Sequence, residues 1–349
     1  MRLERRTELN WVTILLAPLA AIAAALTLCA ALIGLAGVNP LLAYADMLAG
    51  AFGSRLSVTE TLTRATPLIL TGLAAAVAFR ARVWNIGAEG QFYAGALVVA
   101  WAGHGMAVAL PVPVAIALLL AGGMVAGAVL LLGPVLLRLR FGVDEVVTTL
   151  LLNFITILFV GMMVEGPLKD PMGFGWPQSV PVARDLMLPD LVARSRLHVG
   201  LLIAVAVALV LWVIQSRTVF GAEARAAGLN PQAAAFAGVG LGKTLIGVAV
   251  LSGGLAGLAG GIEVIGVTGY VTTTMSPGFG YAGIVVAMLA ALHPLGAVLA
   301  AVFIATVFVG ADAMSRTTGV PSYIADVIMS VSLLTMLTAL LFTTYRIRR

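Results

Sequence analysis

From Trp11 to Gly37 the chain carries no charged residue. A helix needs about 20 predominantly apolar residues to cross the hydrocarbon core of a bilayer. Comparable apolar runs recur over 12–36, 60–80, 91–109, 111–137, 145–165, 198–215, 244–263, 280–292, 295–312 and 322–345. In lipid every backbone polar group must be satisfied internally, and helices do this within one segment. The pattern predicts an all-α integral membrane protein with about ten transmembrane helices. The run 280–292 is too short to cross unaided, so some spans are expected to be discontinuous. Composition agrees: 61% of the residues are hydrophobic and 10% charged, against about 25% charged in a soluble domain. No stretch has the mixed composition of a soluble domain, so 1–349 reads as a single transmembrane domain.

The N-terminal MRLERRTELN is basic. The apolar run after it is longer than the core of a cleavable signal peptide, so a retained first span is expected. Leu28, directly before Cys29, argues against lipid attachment at that cysteine.

Charge orients the spans. With the N-terminus inside and the spans alternating, most of the 20 Lys and Arg fall on short inside segments. Arg80, Arg82, Arg138, Arg140, Arg217, Arg225 and Lys243 are among them. This follows the positive-inside rule and predicts that both termini are cytoplasmic.

Two connecting segments are long. The extracytoplasmic 166–197 holds Pro167, Pro171, Pro177, Pro181 and Pro189. Proline blocks a continuous helix, so short helical pieces across the outer face are expected. The second is the cytoplasmic 216–243, which ends in AGVGLGKT and resembles the phosphate-binding pattern G-x-x-x-x-G-K-[ST]. A true phosphate loop needs a β-strand before the turn, whereas NPQAAAFAG is rich in alanine and lacks a strand's β-branched residues. Instead, Gly228 is expected to end a short helix in the left-handed conformation. Asn230 then caps a second helix with Pro231 at its first position, ending at Gly238. Lys243 is expected to anchor the start of the next span.

Polar residues interrupt the apolar pattern at FRARVWNIGAEGQFYAGA, 79–96. A charge at the bilayer centre costs about 2.5–3.5 kcal/mol on the insertion scale. Asn85, Glu89 and Gln91 are therefore substrate-pathway candidates, the alternative being a cap that fixes the start of the helix. Glycines at 253, 257 and 261 recur every fourth residue, which lets helix backbones approach closely. Glu263 and the polar run 272–276 follow, as a partial counterpart of the first interruption. Asn153, inside an apolar run, is expected to bond a neighbouring helix or to face the pathway. Asp144 and Glu145 suit a helix N-terminus, and Asp312 and Asp326 are expected to be solvated. The lone Cys29 and three dispersed histidines give no metal-ligand spacing. No catalytic constellation, metal or cofactor is expected in this chain.

Several of these strings carry a family resemblance: WNIGAEGQFYAGA, VDEVVTTLLLNF, EGPLKDP, GWPQS, ARAAGLNPQAAAFAGV and SGGLAGLAGGIEVIGV. Over about 67–294 the chain resembles permease subunits of nucleoside-type ABC importers. These lie within the ribose and branched-chain amino-acid permease family. The resemblance implies a bacterial cytoplasmic-membrane transport subunit, with no nucleic acid among its partners. It implies a second related permease as partner, a cytoplasmic ATPase subunit that uses the ATP, and an extracytoplasmic substrate-binding protein. Glu223, Arg225, Gly228, Asn230 and Pro231 would then belong to the segment that couples to the ATPase. Simple-sugar importers share much of the pattern and remain the alternative. A secondary transporter coupling ions through Glu89 or Glu263 is a further one.

Overall fold

The computed structural model describes residues 2–5, 11–105 and 110–348, with side chains described for 16, 19–105 and 110–339. Thirteen helices follow in order: α1 (Trp11–Leu35), α2 (Pro40–Phe52), α3 (Arg55–Arg80), α4 (Ala88–Gly105), α5 (Val112–Phe141), α6 (Glu145–Glu165), α7 (Gly200–Arg217), α8 (Val219–Leu229), α9 (Pro231–Phe236), α10 (Leu241–Glu263), α11 (Phe279–Leu289), α12 (Pro294–Thr318) and α13 (Ile324–Thr344). One short antiparallel ribbon departs from the all-α expectation. It pairs Arg2–Arg5 with Tyr345–Arg348 and so holds the two ends of the chain together.

Among the described residues, six helices are long and apolar enough to cross a membrane, or seven if a bent pair counts as one span. That pair is Leu19–Leu35 with Pro40–Phe52, bent by 114°. The bend is encoded locally. Gly37 takes φ +82°, the Asn39 side chain accepts from the Leu41 amide, and Pro40 opens the new helix. Helix α2 is absent from the sequence expectation, because the apolar run before it already suffices for a span.

Helix α10 is the axis of the bundle, packed between α5 and α4. Its glycine stripe permits this contact. A Cβ on Gly253 or Gly257 would collide with the carbonyl of Gly127 or Gly123, and one on Gly260 with that of Phe92. The expected close approach of helix backbones is met here. At the periphery α6 turns Phe154, Leu158 and Met162 outward, as a lipid-facing helix does.

The 166–197 segment differs from expectation. Its only helical piece is a single 3₁₀ turn, Arg184–Leu186. Its backbone is satisfied instead by the chain beneath it. The amides of Ser179, Val182 and Leu188 donate to the carbonyls of Val271, Gly269 and Ile265 at 3.0, 2.8 and 2.7 Å. An irregular segment can stay ordered in this way, because its polar groups find protein partners.

Candidate functional site

Helix α3 ends at Arg80, and the chain then runs without helix through residues 81–87 before α4 begins. Apart from the exposed Arg82 and Trp84 this irregular segment is largely buried, so its polar groups need partners. Helix α6 supplies them from every fourth residue, which lie on one face. Glu145 Oε1 accepts from the Trp84 amide at 3.2 Å, and Thr149 Oγ1 from the Ile86 amide at 3.3 Å. Asn153 accepts from the Gly90 amide at 2.8 Å and donates to the Ile86 carbonyl at 2.8 Å. Arg138 pairs with Glu145 at 2.5 Å and donates to the Arg82 carbonyl at 2.8 Å. Asp144 caps α6 as expected, accepting from the Val146 amide.

Asn85 and Gln91 exchange two amide hydrogen bonds, each 2.9 Å. Asn85 also donates to Ser252 Oγ at 3.0 Å, and Ser252 donates to the Ala74 carbonyl at 2.7 Å. Ser252 lies midway along α10, so the break reaches the middle of the bundle. Asn85, Gln91 and Asn153 are fully buried, with their polar groups engaged by the protein itself.

Glu89 sits in the first turn of α4, buried, and its Oε2 accepts from the Gly280 amide at 2.6 Å. Gly280 is in the first turn of α11, which also follows a break. Helix α10 passes into a π-helical turn, Val264–Thr268, and then an irregular segment to Gly278. Tyr93 of α4 ties this segment down: its hydroxyl donates to the Thr273 carbonyl at 2.8 Å and accepts from the Ser276 amide at 3.3 Å. Thr71 of α3 holds the start of α11 through the Phe279 carbonyl at 2.9 Å. Two helix N-termini thus meet at one carboxylate. Each carries a partial positive charge from its aligned peptide dipoles, and side chains take up end amides of both: Asn153 that of Gly90, Glu89 that of Gly280.

Glu263, at the end of α10, is 7% exposed and has no hydrogen bond to its carboxylate among the described residues. It lines a cavity of about 290 Å³ with Glu60, Thr63, Arg64, Arg196 and Thr268. A second cavity of about 400 Å³ shares Glu60, Arg64 and Arg196 and adds Asp312 and Arg316. Arg64 pairs with Glu60 at 3.5 Å and with Asp312 at 3.0 Å, and Arg196 with Glu60 at 2.6 Å. Asp312 is therefore half-buried and ion-paired, contrary to expectation, because Arg64 of α3 faces it; Asp326 is exposed as expected. Sequence reading missed this cluster. Its one local signal is the Glu60–Arg64 spacing, which puts both on one helix face.

At the opposite end, α8 and α9 form the 216–243 elbow. Asn230 ends α8 and caps α9, accepting from the Ala233 amide at 3.1 Å, with Pro231 opening α9. Gly228 corrects the expectation of a left-handed stop. It lies inside α8, where a Cβ would collide with the Arg80 carbonyl, so the glycine serves close approach. The turn after α9 is the left-handed one, at Gly238. Three residues tie the elbow to three helices: Glu223 accepts from Thr244 of α10 at 3.3 Å, Arg225 donates to the Gln215 carbonyl of α7 at 3.0 Å, and Gly228 abuts Arg80 of α3. Leu229 and Phe236 remain exposed. A helix, not a strand, precedes GLGKT, and Lys243 stands exposed in the first turn of α10.

The histidines stay apart. His104 is in the last turn of α4 and His293 caps α12. His198 lies buried before α7, its Nδ1 accepting from the Gly200 amide at 3.0 Å. Burial lowers its pKa to about 4, against a smaller upward pull from Asp190. Among the described residues, no three His, Cys, Asp or Glu come together in a metal-binding arrangement.

The sequence model of the family described as "Branched-chain amino acid transport system / permease component" matches residues 57–340. The Guanosine ABC transporter permease protein NupP of Bacillus subtilis is 33% identical over 92% of this chain and 92% of its own length. The Nucleoside ABC transporter permease protein NupB of Lactococcus lactis is 34% identical over 90% of this chain and 88% of its own. The Glucose ABC transporter permease protein TsgB13 of Haloferax volcanii is 33% identical over 89% and 83%. No solved structure matches the chain.

Proposed function

Since this chain belongs to the family of branched-chain amino acid transport system permease components, we propose that it is the nucleoside-carrying permease subunit of an ABC importer. The observation that carries the substrate is the near full-length similarity to permeases named for guanosine and nucleosides. The glucose permease relative, at the same identity, favours a simple sugar as the second reading.

In this reading the chain spans the bacterial cytoplasmic membrane about ten times, with both termini in the cytoplasm. Helices α4 and α13, the short α11 and the bent pair α1–α2 complete the spans. The whole chain, 1–349, is one permease domain. The loop 166–197 faces an extracytoplasmic binding protein, and 216–243 faces the ATPase. The chain itself holds no cofactor, and ATP is bound and hydrolysed by the separate ATPase subunit. A second, related permease completes the pore. In support, Bacillus subtilis has two different proteins named as guanosine ABC transporter permeases, both similar to this chain.

The chain's own residues divide the work. Glu223, Arg225, Gly228, Asn230 and Pro231 build an elbow that touches α3, α7 and α10 together. A shift of the elbow therefore reaches three helices at once, and ATP binding at the partner would act through it on the balance between two states of the bundle. Asn85, Gln91 and Asn153 hold the broken segment in place beside the pathway, and Glu89 holds the two helix N-termini. Glu263 faces the solute. The test is uptake of radiolabelled guanosine and glucose in cells lacking their own transporters, given this chain with its partner subunits. Guanosine uptake that depends on this chain supports the reading, and uptake of glucose alone overturns it.

A further inference from the structure

The other charged groups lining the cavity beside Glu263 are engaged in ion pairs. Arg64 is held by Glu60 and Asp312, and Arg196 by Glu60. Each of these four residues thus has an ion-pair partner. The Glu263 carboxylate lines the same cavity without a hydrogen bond, on a residue 7% exposed. A carboxylate accepts about four hydrogen bonds, and here those acceptor positions open into the cavity. Its site is also unusual in its backbone, since the π-helical turn starts at the next residue. Such turns occur frequently at functional sites. Val267, Met275, Pro277 and Phe279 give the same cavity an apolar wall.

We propose that Glu263 is the recognition carboxylate of this cavity and accepts the two hydroxyls of a vicinal diol on a neutral, ribose-bearing ligand. The inference rests on the nucleoside reading above and adds which part of the solute this chain reads. A cation is disfavoured, because two guanidinium groups line the same space. A phosphate is disfavoured, because both guanidinium groups are already paired and Glu263 would repel it. What remains is a neutral donor pair, which a ribose ring offers at its 2′ and 3′ positions. The apolar wall then takes the base. A hexose has vicinal hydroxyls too, so the same carboxylate suits a solute with no base.

The assembled transporter in proteoliposomes tests this, with the binding protein saturated by each solute in turn. Guanosine should enter at least about tenfold faster than 2′,3′-dideoxyguanosine, because a site built to bond hydroxyls rejects the analogue that lacks them. Removing only the 5′ hydroxyl should change the rate less than twofold. Neither comparison needs a variant that folds. Glu263→Gln should bring the guanosine to dideoxyguanosine ratio below about threefold, and Glu263→Asp should keep the preference. If the unsubstituted transporter carries both solutes equally, or Glu263→Gln keeps full preference, the assignment of Glu263 is wrong while the nucleoside reading stands. If no nucleoside is carried at all, both are overturned.

Discussion

The Glu89 carboxylate accepts a hydrogen bond from the Gly280 amide at 2.6 Å and so joins the first turn of α4 to the first turn of α11. Both helices begin after a break in the chain, and both breaks are held by side-chain bonds. The arrangement places one carboxyl group where two helices start, and discontinuous helices bind polar groups at their N-termini in the same way. Here the protein supplies that polar group itself.

Removing that carboxylate should loosen both helices. Glu89→Ala leaves the Gly280 amide without its acceptor, at a cost of about 2–3 kcal/mol for a buried charged hydrogen bond. Glu89→Gln keeps an acceptor and should cost less. Thermal unfolding of the detergent-solubilised transporter checks the order. A Glu89→Ala protein that melts with the parent would remove the bridge from the account.

The glycine stripe of α10 makes a sharper contrast. Gly257→Val should leave little folded protein, because its side chain would meet the Gly123 backbone. Gly242→Ala, at the start of the same helix with open space around it, should stay within about 0.5 kcal/mol of the parent. Monodisperse yield in membrane extracts separates them. Equal yields would mean that α5 and α10 do not pack through these glycines.

What the sequence made legible follows from what is local. The apolar runs mark the helices, and Asn230–Pro231 marks the start of α9 in its own side chains. The break at 81–87 is visible because Asn85, Gly87 and Glu89 interrupt an apolar pattern. Gly228 was misread because a glycine near a helix end has two uses, a left-handed turn or a close approach, and only the position of Arg80 decides. The 166–197 loop lacks the expected helices because its hydrogen-bond partners lie at 264–271, far away in sequence. The Glu263 cavity assembles Glu60 and Arg64 of α3, Glu263 of α10 and Arg196 of a loop, which no local pattern reveals.

Acid should weaken the fold through His198. Its pKa is about 4 in the folded protein and about 6.5 when unfolded. The unfolded chain therefore takes up the proton first, and stability is full above about pH 6.5. It falls as pH drops from there towards 4, by at most about 3 kcal/mol. Apparent melting temperatures at about pH 7.5 and 5 should differ less in His198→Asn than in the parent. An unchanged pH dependence in the variant would put the acid sensitivity elsewhere.

The elbow should be separable from membrane insertion. Arg225→Glu removes the bond to the Gln215 carbonyl and should lower uptake at least about tenfold, a loss of about 1.4 kcal/mol in coupling, with normal amounts of the chain in the membrane. Lys243→Ala should leave ATP binding by the assembled transporter unchanged. Normal uptake by Arg225→Glu would contradict the coupling role, and ATP photolabelling at Lys243 would revive the phosphate-loop reading.

The central claim is that this chain forms the path along which another subunit's ATP hydrolysis moves a nucleoside. Its most direct test is radiolabelled guanosine accumulation in proteoliposomes holding both permeases, the ATPase and the binding protein. The account predicts accumulation that needs ATP and stops when this chain is omitted. Accumulation driven by an ion gradient without ATP, or unchanged without this chain, would contradict it.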